Sequence, residues 1–262
     1  MIMMRFIFLI CMLLPAFCLT AQSPQIRSIE NTAFGLGERL EYKVGYQFIT
    51  AGNAYFQIQP KPASIRGRQC YDIRFEVRSL KSLDWLYRVQ DIYRTVIDMD
   101  GIFPHYFEQH IREGGYRRDF TATFDQTANK AYTSEGEYAI PAYVHDIVSA
   151  FYYVRTLDLS KKKKGDIIEL KNFFGDKTYD LGVRILGTQK TEVEAGTFNC
   201  IVVEPLVVEG GLFKNEGRIL LWLSNDERKI PVKVSTKVII GSIDAELTSY
   251  SGLRGPLSSR IE

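Results

Sequence analysis

The stretch Glu38–Ile58, ERLEYKVGYQFITAGNAYFQI, decides the fold. Leu40, Tyr42, Val44, Tyr46 and Phe48 fall on one face, and Arg39, Glu41, Lys43 and Gln47 on the other. A period of two over this length is a strand with one face in a core and one in water. Ala51-Gly52-Asn53 signals a turn, and Ala54, Phe56 and Ile58 resume the alternation opposite Tyr55 and Gln57, so residues 38–59 predict a hairpin.

The same pattern spreads outward from this hairpin. Pro60-Lys61-Pro62 breaks the ladder, then Tyr71, Ile73, Phe75 and Val77 form the next apolar face. A long strand is predicted over Leu86–Met99. Asp100-Gly101 turns it into a return strand over Ile102–Ile111. Glu113-Gly114-Gly115 is a further turn, followed by strands over Tyr116–Phe124 and Lys130–Thr133. The second half predicts strands over Ile167–Phe174 and Thr178–Leu186, then from Thr191 to Pro205 with a break at Gly196. Others follow over Gly217–Leu223, Val232–Ile240 and Ile243–Leu247. The exception is the segment near 145–156: it lacks alternation, follows Pro141 and starts at Asp146, whose carboxylate suits a helix N-cap. Ile147, Val148, Phe151, Tyr152 and Val154 are apolar around most of the circumference, which predicts a buried helix across the concave face of a curled sheet. Roughly a dozen strands at short spacing make the chain mainly β: a large curved antiparallel sheet or open barrel with one buried helix near 145–156.

The N-terminal residues carry an address. Arg5 is followed by the apolar run Phe6–Leu19 and the small-residue stretch Thr20-Ala21. Spanning a bilayer takes roughly 20 apolar residues, and Pro15 interrupts this run of 14, so residues 1–22 read as a cleavable secretory signal peptide. A lipoprotein attached at Cys18 is the other option, although Phe17 is not the small residue that normally precedes an acylated cysteine. The expected organisation is a signal peptide over 1–22, a β-rich domain over 23–250 and a polar C-terminal tail over 251–262 that frays.

Removing Arg5 from the 33 basic residues leaves a net charge of +1 against 31 acids. That balance argues against nucleic acid as a partner. Cys70 and Cys200 remain beyond the leader, either paired or, as the simpler reading, two buried thiols. His105 and His110 are five apart on one strand and point to opposite faces, so they cannot share a metal. No HExxH, CxxC or GxSxG occurs, and neither a cofactor nor a metal is expected. Ser149 lies one helical turn from His145, but a small residue that lets the helix pack is the simpler account. Asp84, Asp91, Asp98, Asp100, Glu135 and Glu137 supply carboxylates for a glycosidase pair, a signal of little specificity among so many acids. Lys161–Lys164 reads as a solvated turn. Aromatics make up 13% of the chain. Trp85, Tyr87, Tyr152, Tyr153, Phe173, Phe174 and Trp222 lie near turns or on the helix, and either form the core or line a ligand groove.

Several segments resemble a known family: FGLGERLEYKVGYQFITAGNAYFQI (Phe34–Ile58), HDIVSAFYYVRTL (His145–Leu157), GTFNCIVVEP (Gly196–Pro205), and RILLWLSNDERKIPVKV (Arg218–Val234) with IIGSIDAEL (Ile239–Leu247). They are similar to exported bacterial proteins of the domain of unknown function 3108. The resemblance implies an envelope protein with a large curved antiparallel sheet and a YmcC-like fold, and implies no known activity. The expected function is therefore a non-catalytic exported protein, periplasmic or outer-envelope associated in a Gram-negative type of cell. It would hold a lipid, a lipoprotein acyl chain or a polysaccharide intermediate in a concave sheet. A structural protein docking on an envelope partner and a glycan-active enzyme are the alternatives.

Overall fold

The computed structural model describes residues 26–46, 49–206, 217–237 and 241–261. The leader, Phe48 and the end of the 232–240 strand lie outside them. Fifteen strands join one antiparallel sheet: β1 (Arg39–Tyr46), β2 (Ile49–Ile58), β3 (Ala63–Ile65), β4 (Arg68–Ser79), β5 (Gln90–Asp98), β6 (Pro104–Glu113), β7 (Tyr116–Asp125), β8 (Lys130–Thr133), β9 (Gly136–Ala139), β10 (Ile167–Phe174), β11 (Lys177–Val193), β12 (Gly196–Leu206), β13 (Ile219–Ser224), β14 (Pro231–Lys237) and β15 (Ser242–Ser251). Their order is β10-β11-β12-β13-β14-β15-β1-β2-β4-β5-β6-β7-β8-β9, with β3 paired on β4. The sheet curls without closing into a barrel. The gap between its two ends is narrowed by Phe173 of β10, whose ring meets Phe124 of β7 and Tyr138 of β9, each at 5.9 Å.

Helix α1 (Ile147–Thr156) lies inside the curl against β5 and β10, where the sequence placed it. Asp146 is its N-cap: Oδ1 accepts the amides of Val148 and Ser149, each at 2.9 Å, and Oδ2 accepts the Thr95 hydroxyl of β5 at 2.7 Å. One side chain therefore both starts the helix and ties it to the sheet. At the other end, Arg155 donates to both oxygens of Glu38, at 2.6 and 2.8 Å, and Nε donates to the Arg228 carbonyl at 3.2 Å. Both charges are fully buried.

Four details depart from the sequence expectation. The β1–β2 hairpin exists, but its register closes at Tyr46↔Ile49, so Ala51-Gly52-Asn53 lies within β2. Residues 86–89 are not strand: a 3-10 turn at Lys81–Leu83 leads into a loop, and β5 starts at Gln90. The two strands expected between Thr178 and Val193 are one, because a bulge between Ile185 and Gly187 absorbs the irregularity, with Gly187 at φ +114°. The C-terminal residues do not fray. The Ile261 amide donates to the Thr197 carbonyl at 2.8 Å, the Asn199 amide to the Ser259 carbonyl at 2.8 Å, and the Ser259 hydroxyl to Asp226 at 2.6 Å.

The two ends of the curled sheet differ. The β5–β6 turn end is covered by residues 26–38: the Ile29 amide donates to Asp100, Arg27 donates to the Gly101 and Ile102 carbonyls, and Phe34 is buried between Tyr71 and Tyr152. At the opposite end lie the connections β1–β2, β4–β5, β6–β7 and β14–β15. Inward-facing residues lose burial toward that end. Leu40 and Tyr42 of β1 are buried and Val44 is half-buried; Ile73 of β4 is buried and Phe75 and Val77 are half-buried. Val232 of β14 gives way to Val234, and Leu247 of β15 to Ala245 and the exposed Ile243. Among the described residues the fold is a cup, floored by the lead-in segment and α1 and least covered at the opposite end.

Candidate functional site

The inner wall near the open end carries a row of side chains set by strand register. Leu40 pairs with Phe56, Phe56 with Phe75, Phe75 with Tyr93, Tyr93 with Gln109 and Gln109 with Phe120, so one residue each of β1, β2, β4, β5, β6 and β7 faces inward at the same level. Phe56 and Phe75 stack at 4.3 Å, Phe75 and Tyr93 lie 5.8 Å apart, and Phe151 of α1 stacks on Phe56 at 5.4 Å. All four rings are half-buried. They form an apolar lane beside the helix that keeps contact with solvent.

Polar groups stand at one end of this lane. Gln109 is 2% exposed, and its Oε1 has no hydrogen-bond partner among the described residues. Leaving a buried acceptor unsatisfied costs about 1–3 kcal/mol. Arg118 of β7 lies over the Phe120 and Phe174 rings at 5.3 and 5.2 Å; one Nη donates to Glu135 at 3.3 Å, while Nε is buried without a partner among the described residues. One orphan acceptor and one orphan donor thus flank an aromatic strip.

The seven aromatics singled out in the sequence are dispersed. Tyr152 is fully buried against Phe34 and Phe56, and Phe173 is buried at the seam between the sheet ends. Tyr153 packs on His145 with ring centroids 4.9 Å apart, and Phe174 packs on Arg118. Trp222 donates to Gln189 at 3.0 Å and stacks with Lys233, which pairs directly with it across β13 and β14. Trp85 and Tyr87 are exposed on the β4–β5 loop. The structure does not gather these seven in one place. The lane consists instead of Phe56, Phe75, Tyr93 and Phe151, which the sequence displayed as ordinary inward positions of alternating strands and the helix. Their only distinguishing mark, juxtaposition across strands, needs the register to be seen.

Two other clusters bring polar side chains together. Cys70, Asp98 and His105 have ligand atoms within 4.8 Å of one another. Asp98, however, accepts both Nε and Nη2 of Arg68, its Oδ1 also accepts the amides of Asp100 and Gly101, and its Oδ2 faces His105 Nε2 at 3.2 Å. Burial alone would raise its pKa, but Arg68, His105 and the Gly101 amide reverse this and hold the carboxyl well below the usual range. A guanidinium on the carboxylate and filled lone pairs suit a latch for the β5–β6 turn, not a cation. In the second cluster His145 Nδ1 lies 3.3 Å from Ser149 Oγ, which donates to the Asp146 carbonyl at 3.1 Å. Both residues are buried, and burial, with Arg27 nearby, lowers the His145 pKa to about 3. A base so weak and so enclosed does not activate the hydroxyl. Cys70 and Cys200 are both free and buried. Outside the cup, a hollow of about 750 Å³ lies along β13–β15, lined by Arg218, Leu220, Ser235, Lys237, Ser242 and Asp244 and not by aromatics.

The family profile described as protein of unknown function DUF3108 matches residues 41–248. The chain belongs to the DUF3108 family. This agrees with the resemblance carried by Phe34–Ile58 and the later segments. No curated protein matches the sequence. Among solved structures, a β-barrel-like protein of domain of unknown function DUF1849 from Brucella abortus is similar at 11% identity, with a TM-score of 0.54 over 84% of this chain and 99% of that one. That likeness concerns the fold alone. A protein from Bacteroides fragilis described as exported, with a YmcC-like fold, aligns at 10% identity and a TM-score of 0.38, covering 86% of this chain and 100% of that one. A protein from Parabacteroides distasonis described as a lipoprotein aligns at 12% identity and a TM-score of 0.37, covering 87% and 100%.

Proposed function

We propose that this DUF3108 protein is an exported, non-catalytic envelope protein that holds an amphipathic ligand at the open end of its cup. The apolar part lies along Phe56, Phe75, Tyr93 and Phe151, and the polar head meets Gln109 and Arg118. The observation that carries this reading is the coincidence, on one inner row, of half-exposed stacked rings with a buried carboxamide oxygen that lacks a donor. Rings held half in water are energetically incomplete, and an acyl chain would remove their remaining apolar surface from solvent. A head group offering both a donor and an acceptor would satisfy Gln109 Oε1 and Arg118 Nε together. Export is supported by the leader pattern of residues 1–22.

The test is displacement of a fluorescent fatty acid from the purified protein, with native mass spectrometry of material taken from its own envelope. A co-purifying lipid and saturable probe binding are expected. Phe75→Ala with Tyr93→Ala should weaken the probe by about tenfold or more, because a fully buried aromatic contributes on the order of 1.5–3 kcal/mol. A wild-type protein that binds no probe and carries no lipid overturns the reading.

A further inference from the structure

Large apolar side chains left in water are concentrated at the mouth of the cup. Of the eleven that are exposed among the described residues, seven stand on connections at the open end; Trp85, Leu86 and Tyr87 are consecutive, at 80%, 69% and 55% exposure. Tyr116 on the β6–β7 turn, Ile49 on the β1–β2 hairpin and Ile243 at the start of β15 are others of the group. Scattered exposed leucines need no explanation, but a set gathered around one opening does.

The loop that carries the consecutive three is braced. The Ser79 hydroxyl donates to Asp84, and the Val89 amide donates back to that hydroxyl at 2.9 Å. The amides of Leu86 and Tyr87 donate to the Leu83 carbonyl at 2.9 and 3.1 Å, and the Gly114 amide of the neighbouring turn donates to Arg88 at 2.8 Å. Tyr87 lies so close over Gly114 that a Cβ there would come within 2.7 Å of its ring, and Gly114 has φ +53°. The backbone is thus fixed in a shape that holds Trp85 and Leu86 outward, at the entropic cost of ordering them against nothing.

The charge around this loop selects the partner. Lys81, Arg88 and Arg117 are exposed and form no ion pair with a carboxylate among the described residues. Of the neighbouring acids, Asp119 is paired with His110 and Arg112 and Glu76 with Arg74 and Arg78, while Asp84 keeps its charge and accepts the Ser79 hydroxyl, so three cations face one uncompensated carboxylate there. Tryptophan and tyrosine beside free cations is the composition that sits at a bilayer's headgroup level. The apolar groups also stand on separate hairpin tips. A fluid lipid surface accommodates several such tips at once, whereas a protein partner needs one continuous complementary patch. No helix among the described residues is long and apolar enough to cross a membrane, so the contact is peripheral.

The geometry points to a lipid-docking rim. Trp85, Leu86, Tyr87 and Tyr116 enter the interface of an anionic bilayer, Lys81, Arg88 and Arg117 contact its phosphates, and the mouth of the cup faces the membrane. This goes beyond ligand binding and does not need the inner lane to be occupied.

The chain has two tryptophans, so Trp222→Phe leaves Trp85 as the single reporter. With vesicles of phosphatidylglycerol and phosphatidylethanolamine, the Trp85 emission shifts to the blue and brominated acyl chains quench it. Trp85→Ser with Leu86→Ser lowers the vesicle partition coefficient by about tenfold or more, as the apolar area withdrawn requires. Lys81→Gln, Arg88→Gln and Arg117→Gln together lower it by about a hundredfold, at about 1 kcal/mol per phosphate-facing cation, and abolish the preference over phosphatidylcholine vesicles. Unshifted emission with every vesicle, or equal partitioning of the serine variant and the parent with unchanged circular dichroism, overturns the proposal. The serine variant keeps wild-type affinity for a soluble fatty-acid probe, so failure of the rim and failure of the inner lane are read separately.

Discussion

Arg155→Met should destabilise the protein by about 3–5 kcal/mol, the usual consequence of stranding one member of a buried ion pair. Arg155 and Glu38 are 0% and 1% exposed, and their two parallel hydrogen bonds of 2.6 and 2.8 Å use both carboxylate oxygens. The guanidinium also lies over the Phe34, Tyr152 and Phe151 rings at 5.3, 5.0 and 6.0 Å. Burial pulls Arg155 toward its neutral form, Glu38 outweighs that, and the net pKa is raised. Methionine keeps most of the volume, so the loss reports the abandoned Glu38 carboxylate and the Arg228 carbonyl, which loses the Nε bond. The double variant Arg155→Met, Glu38→Gln should recover at least half of the loss, because the unpaired charge is gone. Urea unfolding followed by circular dichroism measures both. A loss under about 1 kcal/mol for the single variant, or no recovery in the double, would refute the idea that this pair pins the helix to the floor of the cup.

Other outcomes follow from buried titratable groups. His145 has a folded pKa of about 3 against about 6.5 unfolded. In that interval the unfolded chain binds the extra proton, so His145's contribution is complete above about pH 6.5 and is lost as pH falls toward 3. His145→Asn should flatten that part of the stability-versus-pH curve, measured by urea midpoints; an unchanged slope would count against a neutral, buried imidazole. Asp98 has a folded pKa below its unfolded value, so its contribution is present above about pH 4 and lost on further acidification. Asp98→Asn should remove that acid-side loss, again read from urea midpoints, and should increase amide exchange at Asp100 and Gly101. Burial pushes the Cys70 and Cys200 thiols up to about 11. In protein lacking residues 1–22, a thiol reagent at pH 8 should modify neither cysteine while the chain is folded and both in denaturant; rapid labelling of folded protein would contradict their enclosure.

The hairpin of β1 and β2 and the helix at Ile147 were legible because each rests on a local rule: alternation in one case and a capping carboxylate in the other. What escaped depends on backbone pairing or on partners distant in sequence. The tail at 251–261 is polar and reads as loose, yet it docks through main-chain bonds to Thr197 and Asn199 that hydropathy does not record. Leu86–Val89 look like strand, but Ser79 captures both Asp84 and the Val89 amide and bends the chain first. Arg155 did carry a signal: it is the single charge in the helix IVSAFYYVRT, and a lone charge on a helix apolar on most sides implies a buried partner. Nothing nearby named Glu38, which lies 117 residues away.

The same limit explains why Phe56, Phe75, Tyr93 and Phe151 did not stand out in the sequence while Trp85 and Tyr87, beside predicted turns, did. Alternation states that Phe75 faces inward; it does not state how far along the strand the interior ends. That boundary is set by closure at the other end, where residues 26–38 and α1 fill the cup around Tyr71, Ile73 and Thr95 but stop short of Phe75 and Val77. Identical strand chemistry thus becomes buried core at one end and half-exposed wall at the other. Trp85 and Tyr87, read in sequence as core or as the lining of a ligand groove, sit past the strand ends, where a large ring stays in water unless something outside the chain covers it.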